Sequence, residues 1–330
     1  MRRKLLTSKG LLIALLLVAL AASAPTGAGA QTTLREIPLD TSSSSTTMAT
    51  AVDVAAATTG GRGGPESVAF DGTFVWVARQ FADSVTRVRA SDGVIAGTVA
   101  VGQRPVAVRF DASGVWVANL VGNTVTKLRA SDGAVLGTFA VGAGPGGIAV
   151  DGGGGVWVAN RNDGTVTKLR ATNGSKLGTF AVGKRPLGMA SDGPNVWVAN
   201  NQSKTVMKLR ASDGVVLATI PVGDGPFGVA FDGANIWVTN FFDGTVTKLR
   251  ASDGLQLGVF PVGDGAAGVT YDGVSVWVAC NGTNTVVRLS PSTGAVLATH
   301  RVAIGPFGVV WDGAAIWVAN FGSDSLSTSR

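Results

Sequence analysis

"PFGVAFDGANIWVTNFFDGTVTKLRASDGLQLGVFPV" spans residues 226–262, and its punctuation decides the fold. Four short apolar runs stand in it: "FGVAFDG", "NIWVTN", "TVTKLRASDG" and "LQLGVFPV". The first and third close on Asp-Gly. Glycine accepts the positive φ of a tight hairpin turn, so Asp-Gly between apolar runs marks antiparallel strands. The residues around Trp237 are β-branched and suit a pleated, half-buried surface better than a lone helix. The third run also recurs: "TVTKLRASDG" stands at 124–133 and again at 245–254, with "TVTKLRATNG" between them at 165–174.

Tryptophan gives the period. It occurs at 76, 116, 157, 197, 237, 277 and 317, in steps of 40 or 41, each time preceded by Val or Ile and followed by Val. Trp311 is off this register. Four strands per unit, repeated seven times, predict an all-β, seven-bladed β-propeller with four antiparallel strands in each blade. Such a blade is apolar on both faces and needs a neighbour on each side, so the tryptophans are expected between blades. The last copy has two good strands, a poor third in "SDSLSTSR" (323–330) and no fourth. An N-terminal strand must therefore close the ring. "AVDVAAA" (51–57) and "LREIPLD" (34–40) both qualify. The second better resembles "LATIPVG" (217–223) but leaves a long Ser/Thr/Ala/Gly-rich loop, which disfavours it. The expected division is a signal peptide over 1–30, a Ser/Thr-rich linker over 31–47 and the propeller over 48–330.

The net charge of +6 overstates the body of the protein. Arg2, Arg3, Lys4 and Lys9 lie within the first 30 residues, and without them 23 basic residues face 21 acidic ones. That balance provides no global attraction to nucleic acid. The basic start, the apolar "LLIALLLVALAA" (11–22) and the small residues of "AGA" (28–30) read as an export signal cut after Ala30. The mature chain is expected to be secreted, periplasmic or at the cell surface, without a membrane span. The one cysteine, Cys280, cannot form an internal disulfide.

The "WVTN" of 237–240 and its "WVAN" relatives, the following "DGTV", and "VGDGP" at 222–226 resemble the YVTN/NHL type of propeller repeat over about residues 60–330. That resemblance implies an exported scaffold, a sensor ectodomain or a surface-layer component. At the level of the repeat, the chain also resembles the streptogramin (virginiamycin B) lyases, which implies a His base and a magnesium ion in the top cleft. Here the single His, His300, ends a fourth, outer strand. Glu66 is the odd residue among the innermost strands, where other blades carry Val106, Gly146, Leu187, Phe227, Ala267 and Phe307. It is expected at the channel mouth; resemblance to gluconolactonase-like propellers would make it a metal ligand, but the accompanying Asn and Asp ligands have no match. Cys280 replaces an Asn that ends the second strand in most copies (Asn119, Asn160, Asn200, Asn240, Asn320), and both are read as structural. No catalytic residue, metal ligand or cofactor is assigned.

Strand alternation gathers the second-to-third and fourth-to-first connections at one end of the ring. These loops differ from copy to copy, as a site built on a repeated scaffold would. They carry Arg79, Arg104, Arg161, Lys184 and Arg185 in the first four blades, and Phe227, Phe241, Phe242, Phe307 and Phe321 in the last three. The expectation is a binding face with a cationic half and an aromatic half, for a protein, peptide or glycan that is acidic toward the cations. The cations of the third strands (Lys127, Lys168, Lys208, Lys248) are read as covering apolar surface with their stems. Without interleaved aromatics they do not suggest nucleic-acid binding. The alternative, a lyase- or lactonase-like enzyme, uses the same end of the ring.

Overall fold

Asp-Gly and Asn-Gly turns break the chain into strands of four to seven residues, and each run of four pairs only with itself. A computed structural model describes residues 32–39 and 63–330. Its first strand, β1 (Arg35–Pro38), stands apart from a regular series. Blade one holds β2 (Pro65–Phe70), β3 (Phe74–Arg79), β4 (Ser84–Arg89) and β5 (Ile95–Ala100). The same pattern continues through β6–β9 (105–140), β10–β13 (145–181), β14–β17 (186–221), β18–β21 (226–261), β22–β25 (266–301) and β26–β28 (306–328). Seven four-stranded antiparallel sheets result, the expected seven-bladed propeller. No residue among those described is helical.

The repeat exists because neighbouring blades hold each other through it. Trp76 packs with Val85 of its own blade and Val108, Val117 and Leu128 of the next. Trp157 does the same with Met189, Val196 and Leu209, and Trp317 closes the circle against Val68 and Val75 of blade one. Six indole N–H groups donate to the turn aspartate five or six residues earlier: Asp71, Asp151, Asp192, Asp232, Asp272 and Asp312, at 2.6–3.0 Å. Asp and Trp therefore recur together for one reason. Trp116 is the exception: Ser113 donates its backbone N–H and its hydroxyl to Asp111, and the buried Trp116 Nε1 has no partner.

The third-strand cations do more than cover apolar surface. Lys127, Lys168 and Lys208 each lie 5.1 Å from the centre of their own blade's Trp ring. Their ammonium groups donate to the carbonyls of Ala171, Ala211 and Ala251 in the following blade at 2.6–2.7 Å. Lys248 bridges to Pro291 O at 2.6 Å, and Arg87 to Ser131 O at 3.0 Å. Each is a polar staple between adjacent sheets. Glycine at the third position of most inner strands allows close approach there. A methyl group on Gly188 or Gly268 would collide with the carbonyl of Phe227 or Phe307 in the next blade.

The closing strand corrects one expectation. β1 pairs antiparallel with β28 (Ser325–Thr328), from Arg35↔Thr328 to Pro38↔Ser325, and supplies the outer strand of blade seven. The "LREIPLD" alternative therefore closes the ring, and the span 31–47 contains that strand instead of being only a linker. Burial is the physical reason. Leu34 joins the cluster around Trp277 and Ile316, while Ile37 and Leu39 join Trp317, Leu326 and Ala90. The 51–57 candidate and the signal segment lie outside the described residues.

Candidate functional site

Three positions of the repeat contribute, in some of the blades, to a cavity at the variable-loop end. One is the residue after the proline of the inner strand, one precedes that proline, and one follows the end of the second strand. The cavity is of about 380 Å³ and is lined by Glu66, Gln80, Arg161, Arg185, Phe227 and Phe307, among others.

Aromatic rings fill one side of this mouth. Phe242, Phe241, Phe227, Phe307, Phe321 and Phe81 form a continuous series, each ring centre 5.4–5.9 Å from the next. Phe241 and Phe307 also stack at 6.4 Å, reaching across blade six, where Ala267 is small. The series ends beneath Arg104, whose guanidinium lies 5.6 Å from the centre of the Phe81 ring.

Arg161 and Arg185 line the cavity as well, and Arg104 stands where the aromatic series ends. None of the three has a carboxylate within ion-pair distance among the described residues. The neighbouring acids are otherwise engaged: Asp83 accepts from the Arg104 backbone N–H at 2.8 Å, Asp163 from Ala143 N at 2.6 Å, and Asp224 pairs with Lys204 at 2.8 Å. Burial, then the Arg185 charge, holds Arg161 below its usual value, and Glu66 pulls the other way. Arg104 and Arg185 adopt φ values of 54° and 53°. The equivalent residues in the other five blades are Gly64, Gly144, Gly225, Gly265 and Gly305, also at positive φ. For L-residues the left-handed region costs about 1–2 kcal/mol, which glycine avoids.

Glu66 lines the cavity. Its surface is partly open to the cavity, yet the carboxyl is set deep in the ring, and Gln80 Nε2 donates to it at 2.8 Å. Burial raises its pKa to about 7, with Arg161 and Arg104 pulling it down less strongly. It is the only acid among the described residues lining the cavity. His300 is remote from it. It stacks on Trp277 at 5.5 Å and its Nδ1 bonds Thr32 Oγ1 at 2.7 Å, at the outer edge beside the closing strand. Among the described residues no group of three or more His, Cys, Asp or Glu comes together to hold a metal ion. One carboxylate flanked by two arginines does not fit the magnesium site that likeness to the lyases implies.

One expected site residue is misplaced. Arg79 is buried, 7% exposed, and pairs with Asp324 at 2.8 Å across the junction of blades seven and one. Its position is that of the strand-ending asparagines, which point into the blade. Asn160 and Asn240 donate to Thr165 and Thr167, and to Thr245 and Thr247, at 2.9–3.0 Å. At the same position Cys280 is buried, and burial pushes its thiol up to about 12. Lys184 is exposed on the rim and does not line the cavity. Sequence reasoning missed Phe81, Gln80 and Arg109. The residue after the strand-ending position lines the cavity in three blades, as Gln80, Arg161 and Phe321, and that shared position would have found Gln80. Arg109 enters the cavity from β6 where other blades carry Ala69, Ala149, Ala190, Ala230, Thr270 or Val310.

No protein-family model matches the chain, and no curated protein matches it in sequence. Solved structures do match in fold. A streptogramin B lyase aligns with a TM-score of 0.73 at 16% identity, covering 89% of this chain and 96% of that one. A catalytically inactive virginiamycin B lyase from Staphylococcus aureus with quinupristin gives 0.73 at 18% identity, covering 89% and 98%. A hydrazine synthase chain from Kuenenia stuttgartiensis gives 0.73 at 17%, covering 85% and 99%. At these identities the chain is similar to these proteins as a seven-bladed propeller.

Proposed function

We propose that the protein is an exported, non-catalytic binding module of the YVTN/NHL repeat type that takes its ligand at the variable-loop end. One observation carries this reading: arginines with no ion pair among the described residues and a chain of phenylalanines line one cavity. A cavity of this size falls within the usual range for small-molecule sites, which are apolar with a few placed polar groups. The sole His lies at the outer edge of blade six, where it cannot reach a ligand at the axis.

The competing reading is a lyase- or lactonase-like enzyme. Glu66 is the observation in its favour, since a carboxyl with a pKa raised to about 7 can act as an acid or base near neutrality. Incubation of the purified protein with quinupristin and magnesium, followed by chromatography, separates the two. The binding-module reading expects quinupristin to emerge unaltered; conversion would overturn it.

A further inference from the structure

Two arginines occupy backbone positions that the rest of the ring gives to glycine. Arg104 and Arg185 hold left-handed conformations without an ion pair among the described residues to compensate, and Arg161 lies between their blades. Strain of this kind is retained where it places a group that is used. Arg161 and Arg185 line a cavity that Phe227, Phe307 and Phe321 also line, and Arg104, lying on Phe81 at the end of the aromatic series, is close enough to act on the charge of Glu66.

Resting on the reading of this cavity as a ligand site, we propose that its ligand class is an organic oxyanion with a flat apolar body, the anion held by Arg104, Arg161 and Arg185 and the body lying on the phenylalanine wall, with Glu66 competing for the same arginines. Guanidinium groups suit oxyanions because their donors match two acceptor oxygens at once. The aromatic series supplies area but no donor, so it suits a hydrocarbon body. Glu66 meets no other acid at the mouth. Its neighbours there are Gln80, Arg161 and Arg104, with Arg185 acting through Arg161 and Arg109 lining the same cavity from β6. When Glu66 is neutral, the arginines are open to an incoming anion; when it ionises, it screens them and repels that anion. Because the free carboxyl titrates at about 7, affinity for an anion is expected to fall as pH rises through that value.

A matched pair of probes tests this: 8-anilinonaphthalene-1-sulfonate, and N-phenyl-1-naphthylamine, which has the same rings without the sulfonate. Fluorescence titrations of the full mature protein are expected to show one site, with the sulfonate bound about tenfold or more tighter than the neutral amine, as suits a charge-assisted contact. Arg104→Gly/Arg185→Gly should remove that preference and leave amine binding within about twofold. The double variant relieves two left-handed arginines, so its melting temperature should not fall below the parent's. Arg161→Gln is the second variant and should weaken sulfonate binding in the same direction. Sulfonate affinity should drop between about pH 6 and pH 8 in the parent and stay level in Glu66→Gln. Equal affinity for the two probes, or a double variant that retains the preference, overturns the ligand class while leaving the cavity reading intact. Failure of both probes to bind overturns both. A pH dependence that survives in Glu66→Gln overturns the part assigned to Glu66.

Discussion

Trp116 separates two contributions that the other tryptophans in the series combine. All seven bury their rings between blades, but Trp116 alone has no acceptor for its indole N–H. Trp116→Phe should therefore cost less than Trp197→Phe, which also abandons a 2.9 Å bond to Asp192. The expected gap, read from urea unfolding, is about 1–3 kcal/mol; equal costs would show that the Asp–Trp bond contributes nothing. At this scale the sequence was legible where position repeats and ambiguous where partners decide. The Trp register announced its own burial. Arg79 looked like one more surface cation, although it stood in a row of buried asparagines, because its partner Asp324 is 245 residues away in sequence. The third-strand lysines read only as cover for apolar surface, because nothing local shows that the next blade's turn offers a carbonyl to each ammonium.

At the scale of elements, β1 is the piece whose placement sequence reasoning judged wrongly. The likeness of "LREIPLD" to other fourth strands was the correct signal. It was outweighed by the preference for short connections, which is a statistical tendency rather than a physical limit: closure entropy grows only as the logarithm of loop length. Three apolar side chains seat this strand, and Ile37 is 7% exposed against Leu326 and Trp317. Ile37→Ala should cost about 2–5 kcal/mol of stability, as large-to-small core changes do. A fall in the urea midpoint with unchanged slope is the expected result. A variant as stable as the parent would mean that β1 does not hold the ring shut. The inner strands were legible as strands, but the reason for their third-position glycines was not. Only the packed ring shows that the neighbouring carbonyl leaves no room for a methyl group.

Across the whole molecule, sevenfold repetition fixes the frame and departures from it mark the site. The Asp-Gly turns, the Trp register and the lysine staples recur because every blade boundary must be held in much the same way. Glu66, Arg104, Arg109, Arg161 and Arg185 break the repeat; four of them line the central cavity, and the charge of Arg104 reaches Glu66 within it. The division into a cationic and an aromatic half could be read from the loops. The continuity of the aromatic wall could not, because it depends on Phe307 reaching Phe227 and Phe241 past the small Ala267 of the blade between them. The most direct test is diffraction from crystals grown with 8-anilinonaphthalene-1-sulfonate. The account predicts the sulfonate within about 4 Å of the guanidiniums of Arg161 and at least one of Arg104 and Arg185, with the rings against Phe307 and Phe227. Probe density on the outer strands or at the Asp-Gly end, with the channel mouth empty, would contradict it.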